Sequence, residues 1–551
     1  MKLRRLVQGV SLLLFLALLL LPAGDLVGGA PSDLFLRMDP LVFLAGLASG
    51  HAPFGRLLPG LLVVLLTPFL GRLFCSTLCP LGTTIDLADR LLLKARKKAR
   101  PLVKGRIPAS EPPWQLPWVA FIAGTVAAGS SLLVLVSPLS LATRFYGLVL
   151  APALASALDL GARTARGAGE IFGIGALEYL SFPAPGYSQA WVTLALMASV
   201  LGLGVAAPRF WCRFLCPSGA LLALLSRARL LKRDVSDACT GCGACRKACP
   251  MGAVDADAKK ADPSACIVCE GCREVCPEGA VAFRFGRGGV RHEEHLRQVR
   301  HGSTGTRFSK KRRALLYAGV CGAGGAAFSL SLPGGLLAGP VENVLVRPPG
   351  ALPERAFLAS CVRCGECMKA CPTNTLQPAG LGSGVAGFLA PVVVPRKGPC
   401  EPSCTRCGQV CPTGAVKPLP LAEKTCARIG AAAIVKDRCI AWEKDRECLV
   451  CDEVCPYGAV ELRRTPENKI AVPFVDERRC NGCGFCEHHC PVEGPSAIVV
   501  EPKGALRLES GSYVAAARAA GLSFERQERL PAAPQSGPAA VEGGLPPGFE
   551  E

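Results

Sequence analysis

Two short stretches decide how the central part of this 551-residue chain folds. They read Cys239-Thr-Gly-Cys242-Gly-Ala-Cys245-Arg-Lys-Ala-Cys249-Pro250 and Cys266-Ile-Val-Cys269-Glu-Gly-Cys272-Arg-Glu-Val-Cys276-Pro277. Each stretch spaces three thiols closely and sets a fourth directly before a proline. The chain has 30 cysteines, far more than packing needs, and their regular spacing differs from the scattered pairs of a disulfide scaffold. The cysteines are therefore expected to carry the function.

This spacing is typical of cysteines that hold [4Fe–4S] clusters. Three neighbouring thiolates wrap one cluster, and the fourth, placed by the proline turn, reaches the adjacent cluster. The sequence predicts one cluster held by Cys239, Cys242, Cys245 and Cys276, and a second held by Cys266, Cys269, Cys272 and Cys249. Structural zinc is the alternative, but zinc sites usually separate two C-x2-C pairs by about a dozen residues or more.

The same theme recurs four times between residues 355 and 502. The four tetrads are Cys361, Cys364, Cys367 and Cys371; Cys400, Cys404, Cys407 and Cys411; Cys439, Cys448, Cys451 and Cys455; and Cys480, Cys483, Cys486 and Cys490. A shared ending, Cys-Pro-x-Gly-Ala-Val, follows four of the six tetrads and indicates one copied unit. We therefore predict six [4Fe–4S] clusters. For the outer four tetrads, we prefer ligand exchange of the first with the last and of the second with the third over sequential pairing.

Apolar stretches near the start of the chain, uncharged except for Asp25 in the first, predict membrane spans. They are Leu6–Val27, Leu57–Leu70, Pro117–Leu141 and Ala190–Ala207. Clusters of basic residues follow the second and fourth stretches and indicate that these ends of the spans face the cytoplasm. Much of the net charge of +19 is explained in this way, so we predict no nucleic-acid partner. The first stretch could instead be a cleaved signal peptide. Residues 142–189 hold several charges, which favours interfacial or re-entrant helices.

Four more cysteines form two matching pairs at the ends of predicted spans. They are Cys75 and Cys79 before Pro80, and Cys212 and Cys216 before Pro217, so the two halves of the membrane domain are read as a duplicated unit. Pooled, the pairs could form an additional redox or cluster site, although buried reduced thiols are the alternative.

Two other observations concern single residues outside these motifs. Asp39 and His51 could assist quinol deprotonation near the outer membrane face, but solvation at the interface is the ordinary reading. Cys321 and Cys426 are predicted to be free thiols without a role.

A second apolar segment separates the two groups of tetrads. The basic stretch Arg291–Arg313 leads into the uncharged stretch Ala314–Ala338, and Arg312-Arg313-Ala314-Leu315-Leu316 resembles a twin-arginine export signal. A basic flank before an ordinary fifth span is the alternative, and both readings place the residues after 340 outside.

Together these patterns predict an α-helical membrane domain with a duplicated two-span unit, followed by α+β bacterial ferredoxin-like modules. The predicted domains are 1–230 (membrane, four spans), 231–290 (cytoplasmic two-cluster ferredoxin), 291–340 (basic linker and fifth span), 341–504 (periplasmic four-cluster module) and 505–551 (disordered tail).

Residues 1–290, with their duplicated C-x3-C-P pairs and two-cluster ferredoxin, resemble the membrane subunit (NapH type) of the quinol dehydrogenase of periplasmic nitrate reductase. Residues 305–502 are similar to its exported ferredoxin partner (NapG type) and to methylamine-utilisation (MauM-type) ferredoxins. The chain would then be a fusion of two usually separate subunits.

The resemblance implies a multi-pass protein of the bacterial inner membrane that oxidises membrane quinol. Electrons would pass through the clusters to a periplasmic acceptor, such as a c-type cytochrome or a terminal reductase. The alternative is a protein that senses redox state or assembles a metalloenzyme, because similar membrane domains also occur in such proteins.

Overall fold

The computed structural model describes residues 2–20, 32–98, 115–128, 132–172, 181–255, 257–286, 306–331 and 345–524. Most of the basic stretch Arg291–Arg313, part of the cation-rich segment after the second predicted span, and the chain beyond residue 524 lie outside these ranges.

Helices make up nearly all of the described part before residue 231. They are α1 (Lys2–Leu20), α2 (Leu34–Arg37), α3 (Pro40–Ser49), α4 (Phe54–Leu70), α5 (Leu73–Thr77), α6 (Pro80–Lys98), α7 (Gln115–Ala127), α8 (Pro138–Arg144), α9 (Ala151–Phe172), α10 (Ala190–Gly202) and α11 (Pro217–Leu225). Short 3-10 helices lie at Leu132–Val136, Leu203–Val205 and Ser226–Ala228, and π-helical turns lie at Phe145–Leu150 and Trp211–Leu215.

The remaining described chain mixes short helices with two-stranded antiparallel sheets. Its helices are α12 (Ala244–Ala248), α13 (Gly271–Glu274), α14 (Thr306–Ser331), α15 (Glu354–Ser360), α16 (Glu366–Lys369), α17 (Gly384–Gly387), α18 (Arg406–Gln409), α19 (Leu421–Cys426), α20 (Ile440–Glu443), α21 (Val450–Glu453), α22 (Phe485–His489) and α23 (Tyr513–Ala519). Its strands are β1 (Leu231–Val235), β2 (Val281–Phe285), β3 (Leu376–Pro378), β4 (Pro391–Val393), β5 (Ala431–Ile434), β6 (Val460–Arg464), β7 (Ala471–Val475) and β8 (Ile498–Glu501). Short 3-10 helices lie at Leu381–Ser383 and Lys436–Arg438.

One helical run in the described chain, Pro138–Arg166, is long and apolar enough to cross a membrane. Shorter apolar helices lie at Pro40–Ser49, Phe54–Leu70, Leu116–Ala127, Ala190–Val205 and Leu315–Ser331. Helix length therefore gives no support to the predicted duplicated two-span arrangement.

The predicted span Pro117–Leu141 is wrong in detail. α7 ends at Ala127, and a new helix begins at Pro138, where the Ser137 hydroxyl caps it by accepting a hydrogen bond from the Ser140 N–H. Of residues 142–189, which the sequence assigns to interfacial or re-entrant helices, those up to Phe172 continue this new helix. Its charges are accommodated because Arg144 turns inward, while Asp159 and Arg163 form an i,i+4 ion pair.

Two ferredoxin-like groups contact opposite ends of α4. At its start, the Arg56 guanidinium donates to the backbone carbonyls of Gly408, Gln409 and Cys411 in the outer group. Just beyond its end, Arg72 donates to the Ser264 carbonyl of the inner group at 3.2 Å. A 17-residue helix is about 25 Å long, so the two groups are held roughly that far apart.

The strands enclose the cysteine loops in pairs. β1 precedes the first inner tetrad and β2 follows the second, and the two strands pair from Leu231–Phe285 to Val235–Val281. In the outer group, β5 and β8 enclose the last two tetrads in the same way, and the β6–β7 hairpin connects those tetrads. The outer group thus contains a second copy of the inner arrangement.

The described part of the predicted disordered tail, residues 505–524, is folded. Leu506 donates to the Arg428 carbonyl at 2.9 Å, and α23 lies beyond it with a buried Tyr513. Ser512 caps α23 and also donates to the carboxylate of Glu423. Residues up to 524 are therefore part of the folded outer group.

The backbones of α7 and α14 approach closely through glycines. A Cβ added at Gly325 would lie 2.1 Å from the Phe121 carbonyl oxygen, and one added at Gly124 would lie 2.1 Å from the Gly322 oxygen. Small residues that permit such contact are typical of helix pairs packed in lipid.

We predict that Gly325→Ala destabilises the protein by about 1–3 kcal/mol, because the methyl group forces the two helices apart. Gly319→Ala on the same helix is the matched control, since a Cβ there meets nothing within 4 Å. Thermal unfolding in detergent should give a lower Tm for the first variant only. Equal Tm values for both variants would contradict this packing.

Candidate metal centres

The inner tetrads form two sets that exchange their fourth cysteine. Cys239, Cys242, Cys245 and Cys276 line one cavity. Cys249 and Cys272 both lie close enough to Cys266 and Cys269 for the charges of their sulfurs to interact. The structure thus brings together the two sets that the sequence predicts, and iron ligation by them stays a prediction.

Left-handed backbone shapes the ligand loops. The residues two and four positions after the first cysteine have positive φ in four tetrads; they are Gly241 and Gly243, Val268 and Glu270, Arg363 and Gly365, and Gly482 and Gly484. A positive φ is unfavourable for Val, Glu and Arg, and it persists only where surrounding structure imposes it. The same strained loop, repeated with different residues, is what turning three thiols toward one centre requires.

The structure brings together cysteines of tetrads that are neighbours in sequence, so the nested arrangement preferred from the sequence is wrong. One cavity is lined by Cys439, Cys448, Cys451 and Cys490, and another by Cys455, Cys480, Cys483 and Cys486. The first two tetrads also exchange; Cys411 lies within electrostatic reach of Cys361, Cys364 and Cys367, and Cys371 within reach of Cys400 and Cys407. The β5–β8 and β6–β7 pairings explain the result for the last two tetrads, since both sheets join neighbours.

A backbone hydrogen bond connects the two outer pairs of centres. The Cys400 N–H donates to the Cys483 carbonyl oxygen at 2.7 Å. Cys400 belongs to the set with Cys371, and Cys483 belongs to the set with Cys455. These two sets are therefore adjacent, and the four outer sets form one continuous series.

The repeated Cys-Pro-x-Gly-Ala-Val ending supplies hydrogen bonds to sulfur. The alanine N–H four residues after the cysteine donates at 3.3 Å both to Cys249 Sγ, from Ala253, and to Cys455 Sγ, from Ala459. Hydrogen bonds to ligand sulfurs are one of the means by which proteins set cluster potentials. In these two copies, the ending therefore provides a hydrogen bond to a predicted ligand sulfur.

Burial of these thiols favours a positively charged partner. Burial raises the pKa of the Cys272 thiol to about 11 and that of the Cys451 thiol to about 12. A buried thiolate is costly unless an opposite charge compensates it, and bound iron supplies that charge. Among the described residues, no group of three or more His, Cys, Asp or Glu side chains is arranged for a single metal ion.

The structure also gathers the four cysteines of the duplicated unit. Cys79 and Cys216 both lie within electrostatic reach of Cys75 and Cys212, and of each other. We call Cys75, Cys79, Cys212 and Cys216 the thiol quartet.

Arginines that the sequence analysis missed cross-link this quartet. Arg209 donates to the Cys75 carbonyl at 3.2 Å, and Arg72 donates to the Cys212 carbonyl at 3.4 Å. Each arginine lies three residues before the first cysteine of its own pair and contacts the other pair. An arginine three residues before the first cysteine in both pairs is the sequence signal that could have predicted this contact.

The expectation for Asp39 as an interfacial, solvated residue is wrong. Its carboxylate is fully buried and accepts hydrogen bonds from Leu41 N–H, Ser137 hydroxyl, Leu139 N–H and Ser218 hydroxyl at 2.7–3.4 Å. Ser218 lies two residues after Cys216, so Asp39 is next to the quartet. His51 instead lies near the outer group, where its carbonyl contacts the loop at Gly414.

Family comparisons agree with this division of the chain. The description "4Fe-4S binding domain" matches residues 52–99, 189–236 and 358–377, and "4Fe-4S dicluster domain" matches residues 238–289 and 445–493. The two C-x3-C-P pairs fall in separate matched segments of one kind, as a duplication requires. The protein is therefore an iron–sulfur, ferredoxin-type electron-transfer protein with several [4Fe–4S] domains.

Curated relatives identify its family. The ferredoxin-type protein MauM of Methylorubrum extorquens, named for methylamine utilization, is 39% identical over 207 residues, which cover 35% of this chain and 90% of the relative. The ferredoxin-type protein NapG of Escherichia coli is 38% identical over 181 residues (31% and 77%), and NapF of Escherichia coli is 33% identical over 156 residues (28% and 84%). No solved structure matches. Over about a third of its length, the chain belongs to the family of NapG/MauM ferredoxin-type proteins.

Iron content can test the sequential ligand exchange. Cys439 and Cys490 belong to one set here, whereas Cys480 belongs to another. We predict that Cys439→Ala with Cys490→Ala removes one cluster, about four iron atoms per chain, and that Cys480→Ala with Cys490→Ala removes two. Iron and acid-labile sulfide analysis of anaerobically purified protein measures this. Loss of two clusters from both double variants would restore the nested arrangement.

Proposed function

We propose that this chain is a membrane-bound conductor that takes electrons from membrane quinol and passes them through [4Fe–4S] clusters to an acceptor on the other side of the membrane. In this proposal a NapH-like membrane part is fused to a NapG/MauM-like part. The acceptor would be a periplasmic c-type cytochrome or a terminal reductase. The observation that carries the proposal is the contact of two separate cluster-binding groups with opposite ends of α4.

The surface of the helical part favours lipid contact. Large apolar side chains are more than half exposed along several helices, including Leu13 on α1, Leu62 on α4, Leu158 on α9, Trp191 on α10 and Val320 on α14. Exposed apolar surface of this extent is unusual for a protein surrounded by water. We infer that the shorter apolar helices lie in the bilayer together with Pro138–Arg166.

The length of α4 is compatible with this placement. About 25 Å is somewhat less than the roughly 30 Å of a bilayer core, and a short helix is tolerated when the bilayer thins or flanking residues extend to the interface. Arg56 and Arg72 lie at its two ends. The inner group would then face the cytoplasm and the outer group the periplasm.

The series of cysteine sets provides a route within each group. Arg233 on β1 donates a hydrogen bond to Cys245 Sγ at 3.5 Å and another to the side chain of Cys272. It therefore bridges the two inner sets. The Cys400–Cys483 contact does the same in the outer group. Closely spaced centres of one type suit electron transfer better than single-site catalysis.

Electron donation by quinol tests the function. We predict that a soluble quinol, added without oxygen to membranes containing the protein, reduces its clusters, as seen by loss of visible absorbance and by EPR. Dithionite gives the full extent of reduction, and membranes with the Cys439→Ala/Cys490→Ala variant give the matched partial signal. Clusters that dithionite reduces but quinol leaves oxidised would indicate a redox sensor or an assembly protein instead.

The proposed topology has its own test. Protease added outside spheroplasts should remove the segment 345–524 and spare the inner group, because the membrane protects the latter. Antibodies to the two groups report the fragments, and lysed cells should lose both. Survival of 345–524 in intact spheroplasts would place both groups on one side and contradict transmembrane conduction.

A further inference from the structure

The two cluster-binding groups leave a gap that the six predicted clusters do not fill. The inner group contacts the chain just beyond the end of α4, and the outer group contacts the start of α4, about 25 Å away. Transfer across this gap needs an intermediate centre. The thiol quartet lies in it.

The quartet packs against the inner group and is joined to the outer group through one shared apolar core. On the inner side, Cys75 packs in one apolar cluster with Cys249, Cys266 and Cys269, which belong to the second inner set. On the outer side, Cys79 shares an apolar core with Cys364 of the first outer set.

Helix α8 gives the scale of the outer separation. Leu139 at its start donates to Asp39, beside the quartet, and Arg144 at its end donates to the Arg363 carbonyl in the first outer set. Seven residues of helix span about 10 Å.

Both halves of the duplicated unit build the quartet in the same way. Cys79 Sγ accepts a hydrogen bond from Gly82 N–H at 3.4 Å, and Cys216 Sγ accepts one from Gly219 N–H at 3.3 Å. Each cysteine precedes a proline at the start of a helix, α6 or α11, whose free N–H groups favour negative charge. The site is therefore arranged for thiolates.

The arginines point to an anionic group at this place. Arg72 and Arg209 are both almost completely buried. Asp86 pairs with Arg209 at 2.6 Å, but within the described part of the chain no carboxylate pairs with Arg72, and its Nε has no hydrogen-bond partner. A buried guanidinium without a counter-ion is costly, and a cluster with four thiolate ligands carries net negative charge.

We propose that Cys75, Cys79, Cys212 and Cys216 together hold a seventh [4Fe–4S] cluster, shared between the two halves of the duplicated unit. The inference rests on the proposed conduction and names its missing step. Neither pair alone offers four ligands, so each half is incomplete without the other. The oxidised cluster accepts one electron from the reduced cluster on one side and passes it to the oxidised cluster on the other side; no bond is broken and no proton moves.

Iron counting on the full-length, anaerobically purified protein tests the site. Cys79→Ser with Cys216→Ser should lose about four iron atoms and four sulfides per chain. The control, Cys321→Ser with Cys426→Ser, also removes two thiols but should lose none. Unchanged iron in the quartet variant would overturn the proposal, as would a disulfide between Cys75 and Cys79 or between Cys212 and Cys216 in the anaerobic wild-type protein.

A variant that keeps every cysteine guards against simple misfolding. Arg72→Gln should shift to a more negative value the midpoint potential of the cluster that the Cys79→Ser/Cys216→Ser variant lacks, because a positive charge beside that cluster favours its reduced form. A dithionite-based EPR titration reads this shift and does not depend on quinol, so it separates a failure of the site from a failure of quinol oxidation. Unchanged potentials for all clusters would overturn the proposal.

Discussion

The structure depends on one constraint: a compact loop provides three thiolates, and the fourth ligand of each centre must come from another part of the chain. A tetrad therefore cannot complete a site by itself. Because of this requirement, the tetrads come together in pairs. Their loops contain residues with left-handed backbone, such as Val268 and Arg363. The proline turn follows the cysteine at which the chain passes from one centre to the next. The same reasoning applies to the helical part before residue 231, where each half of the duplicated unit carries only one cysteine pair.

Some of this could be predicted from the sequence because it is written in local spacing. The exchange between Cys249 and Cys276 follows from the proline after each cysteine, and the duplication follows from two matching C-x3-C-P pairs. The outer exchange could not be predicted in this way. Altered gaps before Cys404 and Cys448 obscure the repeat, and the partner of each tetrad is decided by strands such as β5 and β8, which are far apart in sequence.

The helical part before residue 231 shows the limits of prediction from hydropathy more clearly. The hydropathy of Pro117–Leu141 is uniformly apolar and predicts one continuous helix. The helix is interrupted there, because Ser137 caps a new helix that begins at Pro138. Asp39 caps α3 by accepting from Leu41 N–H and also accepts from Ser137 and Ser218. Three helices, α3, α8 and α11, thus begin around one buried carboxylate beside the thiol quartet. Short helices that meet at a polar centre are expected where irregular backbone lines a site inside a membrane protein.

The account as a whole requires that adjacent reduced clusters lie close enough to interact magnetically. An EPR-monitored redox titration of the purified full-length protein tests this most directly, because it counts the centres and reveals magnetic coupling between neighbours. The account predicts broadened, interacting [4Fe–4S] signals whose summed intensity grows as successive clusters take up an electron. A colourless preparation, or well-separated clusters that titrate with sharp and non-interacting signals, would contradict it.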